Sequence, residues 1–180
     1  MPSKPVLRIA LLGTLLLAAT TSYAQQPAPT PAPNPLDNVP EKIPFDVPYG
    51  APIGLDRAQA AIAATVAEAK KRDWKLNVAV VDSGGNMVAF QRMDGAQLAS
   101  IQISEHKARA AANFRRETKA FENGIQLNNF NYLITLDGII ASRGGIPLVE
   151  GGKLIGAIGC SGGTGSQDEV ACKVGAATIK

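Results

Sequence analysis

From Leu55 to Arg72 the apolar positions Leu55, Ala58, Ile62, Val66 and Ala69 recur every three or four residues, with Arg57, Glu68, Lys70 and Lys71 mostly elsewhere on the wheel. This predicts an amphipathic helix. Two short β-branched runs follow, Leu76 to Asp82 and Asn86 to Arg92, joined by Ser83-Gly84-Gly85, and they read as a β-hairpin. A second helix is expected from Leu98 to Phe114, started by Ser100 or a neighbour, and a third from Thr118 to about Leu127 with Thr118 as N-cap. Asn131 to Leu136 reads as a strand ending at the turn signal Asp137-Gly138. Ile146 to Glu150 and Lys153 to Cys160 flank Gly151-Gly152 as a second hairpin. Ser166-Gln167-Asp168-Glu169 has the capping-box pattern, with Ser166 as cap, and opens a helix to the C-terminus. About five strands and four helices, with two hairpins and no βαβ alternation, predict an α/β chain of the α+β kind. Its antiparallel sheet is expected to carry helices on its faces, and there is no internal repeat.

The N-terminus changes the picture of the whole. Lys4 and Arg8 precede an apolar run from Ile9 to Ala19, and Ser22-Tyr23-Ala24 fits cleavage before Gln25. That combination reads as a secretory signal, and the run is too short to span a bilayer. Gln25 to Tyr49 holds eight of the twelve prolines and reads as an extended linker, partly polyproline II. The chain therefore divides into a signal peptide over 1–24, a proline-rich linker over 25–49 and one domain over 50–180, with a periplasmic or secreted destination and no membrane insertion after cleavage. Losing the signal removes two basic residues and no acidic ones, so the net charge falls from +3 to +1. With near-balanced charge and no Lys/Arg cluster beside aromatic residues, nucleic acid is not an expected partner.

Candidate chemistry lies in four places. Ser161 to Ser166 is glycine-dense and leads into a helix N-terminus, so Gly162, Gly163 and Thr164 are candidates for gripping a carboxylate or phosphate. A turn that merely caps the helix is the equal alternative. Gly159-Cys160-Ser161-Gly162-Gly163 also fits G-x-S-x-G, but Ser161 is five residues from the predicted helix, and the single histidine precedes it, which disfavours a serine hydrolase. That histidine, His106, is the side chain whose reference pKa is nearest neutrality, a candidate for proton transfer or metal ligation, or simply a hydrogen-bonded partner of its neighbours. On the predicted helix it shares a face with Ala99, Ile103 and Ala110, an apolar setting suited to a flat ligand. Lys107, Arg109, Arg115, Arg116 and, beside Gly144-Gly145, Arg143 offer cations either to ligand carboxylates or to solvent. Cys160 and Cys172, in an oxidising compartment, are read as a disulfide, with two buried thiols as the alternative. The absence of C-x-x-C-H excludes covalent c-type haem on its usual motif.

These segments resemble the GlcG/HbpS haem-binding family, related to the C-terminal domain of PduO proteins. The likeness is carried by Glu105 to Ala111, Val81 to Asn86, Gly144 to Leu148, Gly156 to Thr164 and Gln167 to Glu169, in the family's order along Leu55 to Lys180. The resemblance implies a profilin-like fold with a five-stranded antiparallel sheet, homo-oligomers, and haem binding linked in some members to haem degradation or iron-linked redox sensing. The family's lysine falls on Lys107, preceded here by His106. The reading drawn from it is a periplasmic protein that binds haem b non-covalently, for storage, sensing or as an accessory to degradation, and is more a binding protein than an enzyme. His106 is the expected metal ligand. Ile103, Lys107, Arg109, Phe114, Arg143, Gly162, Gly163 and Thr164 are the expected cofactor contacts. The rival is an enzyme for a small carboxylate-bearing metabolite, with the glycine loop holding the anion and His106 or Asp82 moving a proton. A sensory module acting through an oligomer surface is the third reading.

Overall fold

The computed structural model describes residues 32–43 and 45–180. The signal over 1–24 and the linker as far as residue 31 lie outside them. Four α-helices and four strands follow in the order α1 (Leu55–Lys71), β1 (Asn77–Asp82), β2 (Met87–Arg92), α2 (Ala99–Asn113), α3 (Lys119–Asn128), β3 (Gly145–Glu150), β4 (Lys153–Ser161) and α4 (Gly165–Ala176). All pairings are antiparallel, in the order β2-β1-β4-β3. The sheet thus has four strands among the described residues, not the expected five. Asn131–Thr135 forms a short 3-10 helix instead of a strand. Asn129 turns the chain through a left-handed conformation (φ 56°) just before it, and of its apolar residues only Leu133 is buried, against α3. One inward residue per turn suits a helical turn and not a pleat.

The central strands are covered on both faces, and their alternation separates two cores. Val78, Val80, Ile158 and Cys160 meet Ala58, Ala61, Ile62 and Val66 of α1 and Ala171 and Cys172 of α4. On the other face Ala79, Val81, Leu154 and Ala157 meet Ala108, Ala111 and Ala112 of α2. Small residues on both sides bring α2 close to the sheet. At Gly159 a Cβ would overlap the Ser104 carbonyl and stand 2.5 Å from the Ala108 nitrogen.

Turn and cap chemistry fixes the connections. Gly151 and Gly152 both have positive φ (53° and 75°), as a two-residue turn matched to strand twist requires. The N-cap of α4 is Thr164, not Ser166: its hydroxyl accepts from the Gln167 N–H while the Gln167 side chain accepts from the Thr164 N–H. The helix starts two residues earlier than expected, so Gln167 completes the box and Glu169 is left for ion pairing. Ser100 lies inside the first turn of α2, its hydroxyl accepting from Gln97. Thr118 sits at the α3 N-cap position, but its hydroxyl accepts from Gly145 N–H and so ties α3 to β3. Cys160 and Cys172 are bridged, Cα atoms 5.8 Å apart, joining β4 to α4. Closing a loop of this length contributes about 3 kcal/mol in the chain-entropy model.

The end of the proline-rich segment lies along the domain. Leu154 N–H donates to the Pro48 carbonyl, and Gly50 N–H donates to that of Leu154. Tyr49 O–H donates to the Asn113 carbonyl, while Arg115 donates to the Val47 carbonyl and lies over the Tyr49 ring.

Replacing Gly159 with alanine is expected to destabilise the protein by about 3 kcal/mol or more, because backbone atoms of α2 cannot rotate away from the added methyl. Urea unfolding followed by circular dichroism checks this, and an unchanged midpoint would contradict the close approach.

Candidate functional site

Helix α2 buries one side and exposes the other. Ser100, Ser104, Lys107, Ala108, Ala110, Ala111 and Ala112 are buried, whereas Gln102, His106, Arg109 and Asn113 are exposed. His106 therefore does not stand among Ala99, Ile103 and Ala110 on an apolar face. Its row is Gln102, Arg109 and Asn113, at helical spacings of four, three and seven residues. With Glu105 and, from the loop after the 3-10 helix, Gly138, this row lines an open depression of about 550 Å³. Arg109 carries no ion pair or hydrogen bond among the described residues, so its guanidinium is available to an anion beside the imidazole.

The remaining sequence candidates fall elsewhere. Lys107 is 1% exposed, and its ammonium donates at 2.8 Å to Asp168, so it is not the surface cation expected to meet a ligand. The other Asp168 oxygen accepts from Gly163 N–H. Burial pushes the Asp168 carboxyl up, opposed by Lys107 and by the N–H groups of Gly163 and Gly162. The glycine loop is thus an anion site already filled by the protein's own carboxylate. Its next donor, Thr164 N–H, is taken by Gln167. Gly162, Gly163 and Thr164 consequently have a structural part here, against the expectation that they grip a ligand.

Arg143 is likewise engaged. Its guanidinium pairs with Glu122 at 2.6 Å and with Glu169 at 3.5 Å. Glu169 also takes Lys119 at 3.2 Å and Lys173 at 2.6 Å, a network that locks α3, α4 and the strand entry together. The hydrogen-bonded Arg143 guanidinium holds the Glu122 carboxyl below its ordinary value near 4.5, outweighing partial burial. Asp82 is spent on its turn: one oxygen accepts from the N–H groups of Gly84 and Asn86. Burial raises its carboxyl, but those bonds outweigh it and hold the acid below its ordinary range. Ile103 is half-buried, and Phe114 packs edge-on against Phe121, ring centroids 5.2 Å apart. Of the predicted site residues, His106 and Arg109 line this depression together, while Lys107 and Gly163 meet through Asp168. Gln102 and Asn113 were readable from helical spacing alone, whereas Gly138 arrives through a loop that no local pattern places.

A mixed α+β domain whose antiparallel sheet is sandwiched by helices, with a shallow depression on the outer helix, defines a small single-domain module carrying one open imidazole. The chain belongs to the HbpS-like family: the family described as haem degrading protein HbpS-like matches residues 53–177. GlcG of Escherichia coli (strain K12) is 42% identical over 104 residues, spanning 58% of this chain and 77% of GlcG. Among solved structures, a double mutant of Streptomyces reticuli HbpS aligns with a TM-score of 0.68 at 27% identity, covering 84% of this chain and 99% of that one. The PduOC:Heme complex shares the fold at a TM-score of 0.65 and 24% identity, covering 72% of this chain and 96% of that one. No helix of the described residues is long and apolar enough to cross a membrane.

Two outcomes are expected from the ion pairs. Asp168→Asn leaves the Lys107 charge buried without its counterion and is expected to cost about 3–5 kcal/mol. Adding Lys107→Met should recover much of that loss in urea unfolding, and no recovery would place the cost in the Gly163 bond instead. Glu122, with its depressed folded-state pKa, contributes stability that is present above pH 4.5 and lost as pH falls through the folded value. Glu122→Gln is therefore expected to flatten the acid limb of a stability-against-pH curve while lowering the plateau at neutral pH.

Proposed function

We propose that this protein is an exported, non-covalent haem-binding protein, in which His106 would hold the iron and Arg109 would meet a haem propionate. The observation that carries the reading is the pairing of the chain's single imidazole with an unengaged guanidinium one turn away, both lining an open depression of about 550 Å³. That size lies within the range of roughly 300–1,000 Å³ usual for small-molecule sites. Among the described residues no three His, Cys, Asp or Glu side chains converge as a bare metal ion would need. A porphyrin brings four donors of its own, so one imidazole would suffice for its iron, with Arg109 beside it for a propionate. The HbpS-like description and the likeness to HbpS support haem as the ligand class.

In this reading the chain's residues bind and orient. His106 would offer a ring nitrogen, Arg109 would meet a carboxylate, and Gln102 and Asn113 give the rim hydrogen-bonding capacity. When bound, haem supplies iron that exchanges ligands and electrons. The absence of a C-x-x-C-H motif supports non-covalent binding, with haem b as the form proposed. The depression is open and rimmed by polar side chains, so it would cover only part of a flat ligand. A second copy of the chain is the natural cover, and we infer a homo-oligomer for that reason. The basic start, apolar run and small-residue site of residues 1–24 support a periplasmic or secreted location. The part played there is that of a haem store, sensor or accessory to degradation. The glycine-loop version of the carboxylate-enzyme reading loses its anion site to Asp168.

Haemin titrated into the mature protein is expected to give a Soret band that loses its axial-ligand shift in His106→Ala, and Arg109→Gln should weaken binding by about tenfold, or 1.4 kcal/mol. An unchanged band in His106→Ala would remove the imidazole from the role, and a band in neither protein would remove haem.

A further inference from the structure

Four of the chain's five phenylalanines, Phe45, Phe114, Phe121 and Phe130, gather between the C-terminal end of α2, α3 and the 3-10 helix. They line two adjoining cavities that share Phe45, Arg116, Phe121, Tyr132 and Leu133. One of these, about 350 Å³ and walled by Phe114, Leu136 and Ile139 besides the shared residues, has Arg116 as its single charged lining group, and so does its neighbour.

Arg116 is the unusual member. Its guanidinium carbon lies 3.3 Å from the Phe45 ring centroid and 5.6 Å from that of Phe121. Its Nε donates to the Phe114 carbonyl at 3.3 Å. No carboxylate pairs with it among the described residues, although Arg143, Arg57 and Arg72 all have one. The ionisable groups that reach it are the Tyr132 phenol and the Arg115 guanidinium, and burial lowers its pKa. Aromatic faces offset part of the cost of taking a cation from water, and a counterion of the right shape would offset the remainder. This cleft shares no lining residue with the His106 depression, and Phe114, packed near Gly138, stands between the two.

We propose that the cleft is a second ligand site, for a flat aromatic monocarboxylate whose ring lies among Phe45, Phe114 and Phe121 and whose carboxylate meets Arg116. Charge complementarity selects an anion, the phenyl walls select a planar apolar body, and the volume selects a small molecule over a peptide. The residues that close the site come partly from the proline-rich segment, through Phe45.

Calorimetric titration of the mature protein with 2-naphthoate and with neutral 2-naphthamide tests it. The acid is expected to bind at least about tenfold tighter than the amide, with that preference abolished in Arg116→Met and retained in His106→Ala. Amide shifts in NMR spectra should move at residues 114–121 and 131–139, which keeps the test decisive should Arg116→Met fold poorly. Saturation with 2-naphthoate should leave the haemin titration unchanged. The inference is overturned if acid and amide bind alike, if neither binds below about 1 mM, if His106→Ala abolishes the preference, or if 2-naphthoate displaces haemin.

Discussion

Between α2 and the start of α4, an ammonium and a carboxylate face each other at 2.8 Å with almost no access to solvent. The pair's net contribution to stability is small or even negative against an apolar substitute, because both charges have left water. What it enforces is orientation. Successive residues on a helix point about 100° apart, so fixing Lys107 inward turns His106 outward. The same carboxylate closes the Gly162–Gly163 turn just ahead of the Thr164 cap that opens α4. Site orientation and loop therefore depend on one interaction, and separating its partners would disturb both.

Around that pair the structure separates charge that holds the fold from charge left open to a ligand. Arg143, Glu122, Glu169, Lys119 and Lys173 satisfy one another on the α3–α4 side. Arg109 and Arg116 do not, and each stands in a cavity wall. In a chain of nearly balanced charge, cations without acidic partners in apolar or imidazole-bearing hollows are a better guide to binding than a count of basic residues, since exposed ion pairs elsewhere contribute little.

Periodicity made most of the elements legible. The spacing of α1, both hairpins and the extents of α2 and α3 were readable because each has a local pattern or a turn residue that only one geometry satisfies. Asn131 to Leu136 was misread because a short apolar run satisfies strand and helical turn alike, and only the contact of Leu133 with α3 decides. The face of His106 was misread for a related reason. Alanines fill so much of α2 that its apolar arc has no sharp edge, and the sheet chose which alanines to bury. Lys107, Arg143 and Glu122 were legible as charged but not as paired, since their partners lie 61 and 21 residues away in the chain. The cluster about Arg116 left no sequence signal because its walls come from three separated segments, one inside a stretch that composition marks as linker.

The positive φ of Arg115, 53°, is a conformation that a glycine would adopt more readily, and it places that side chain on the Val47 carbonyl and the Tyr49 ring. With Phe45 held by the adjacent Arg116, the last residues before the first helix behave as part of the folded unit. A recombinant fragment trimmed to the first residue of α1 would therefore expose the flank of β4 at Leu154 and strand two arginines. Any truncation meant to retain the native surface has to begin ahead of Phe45, inside what composition labels a tether.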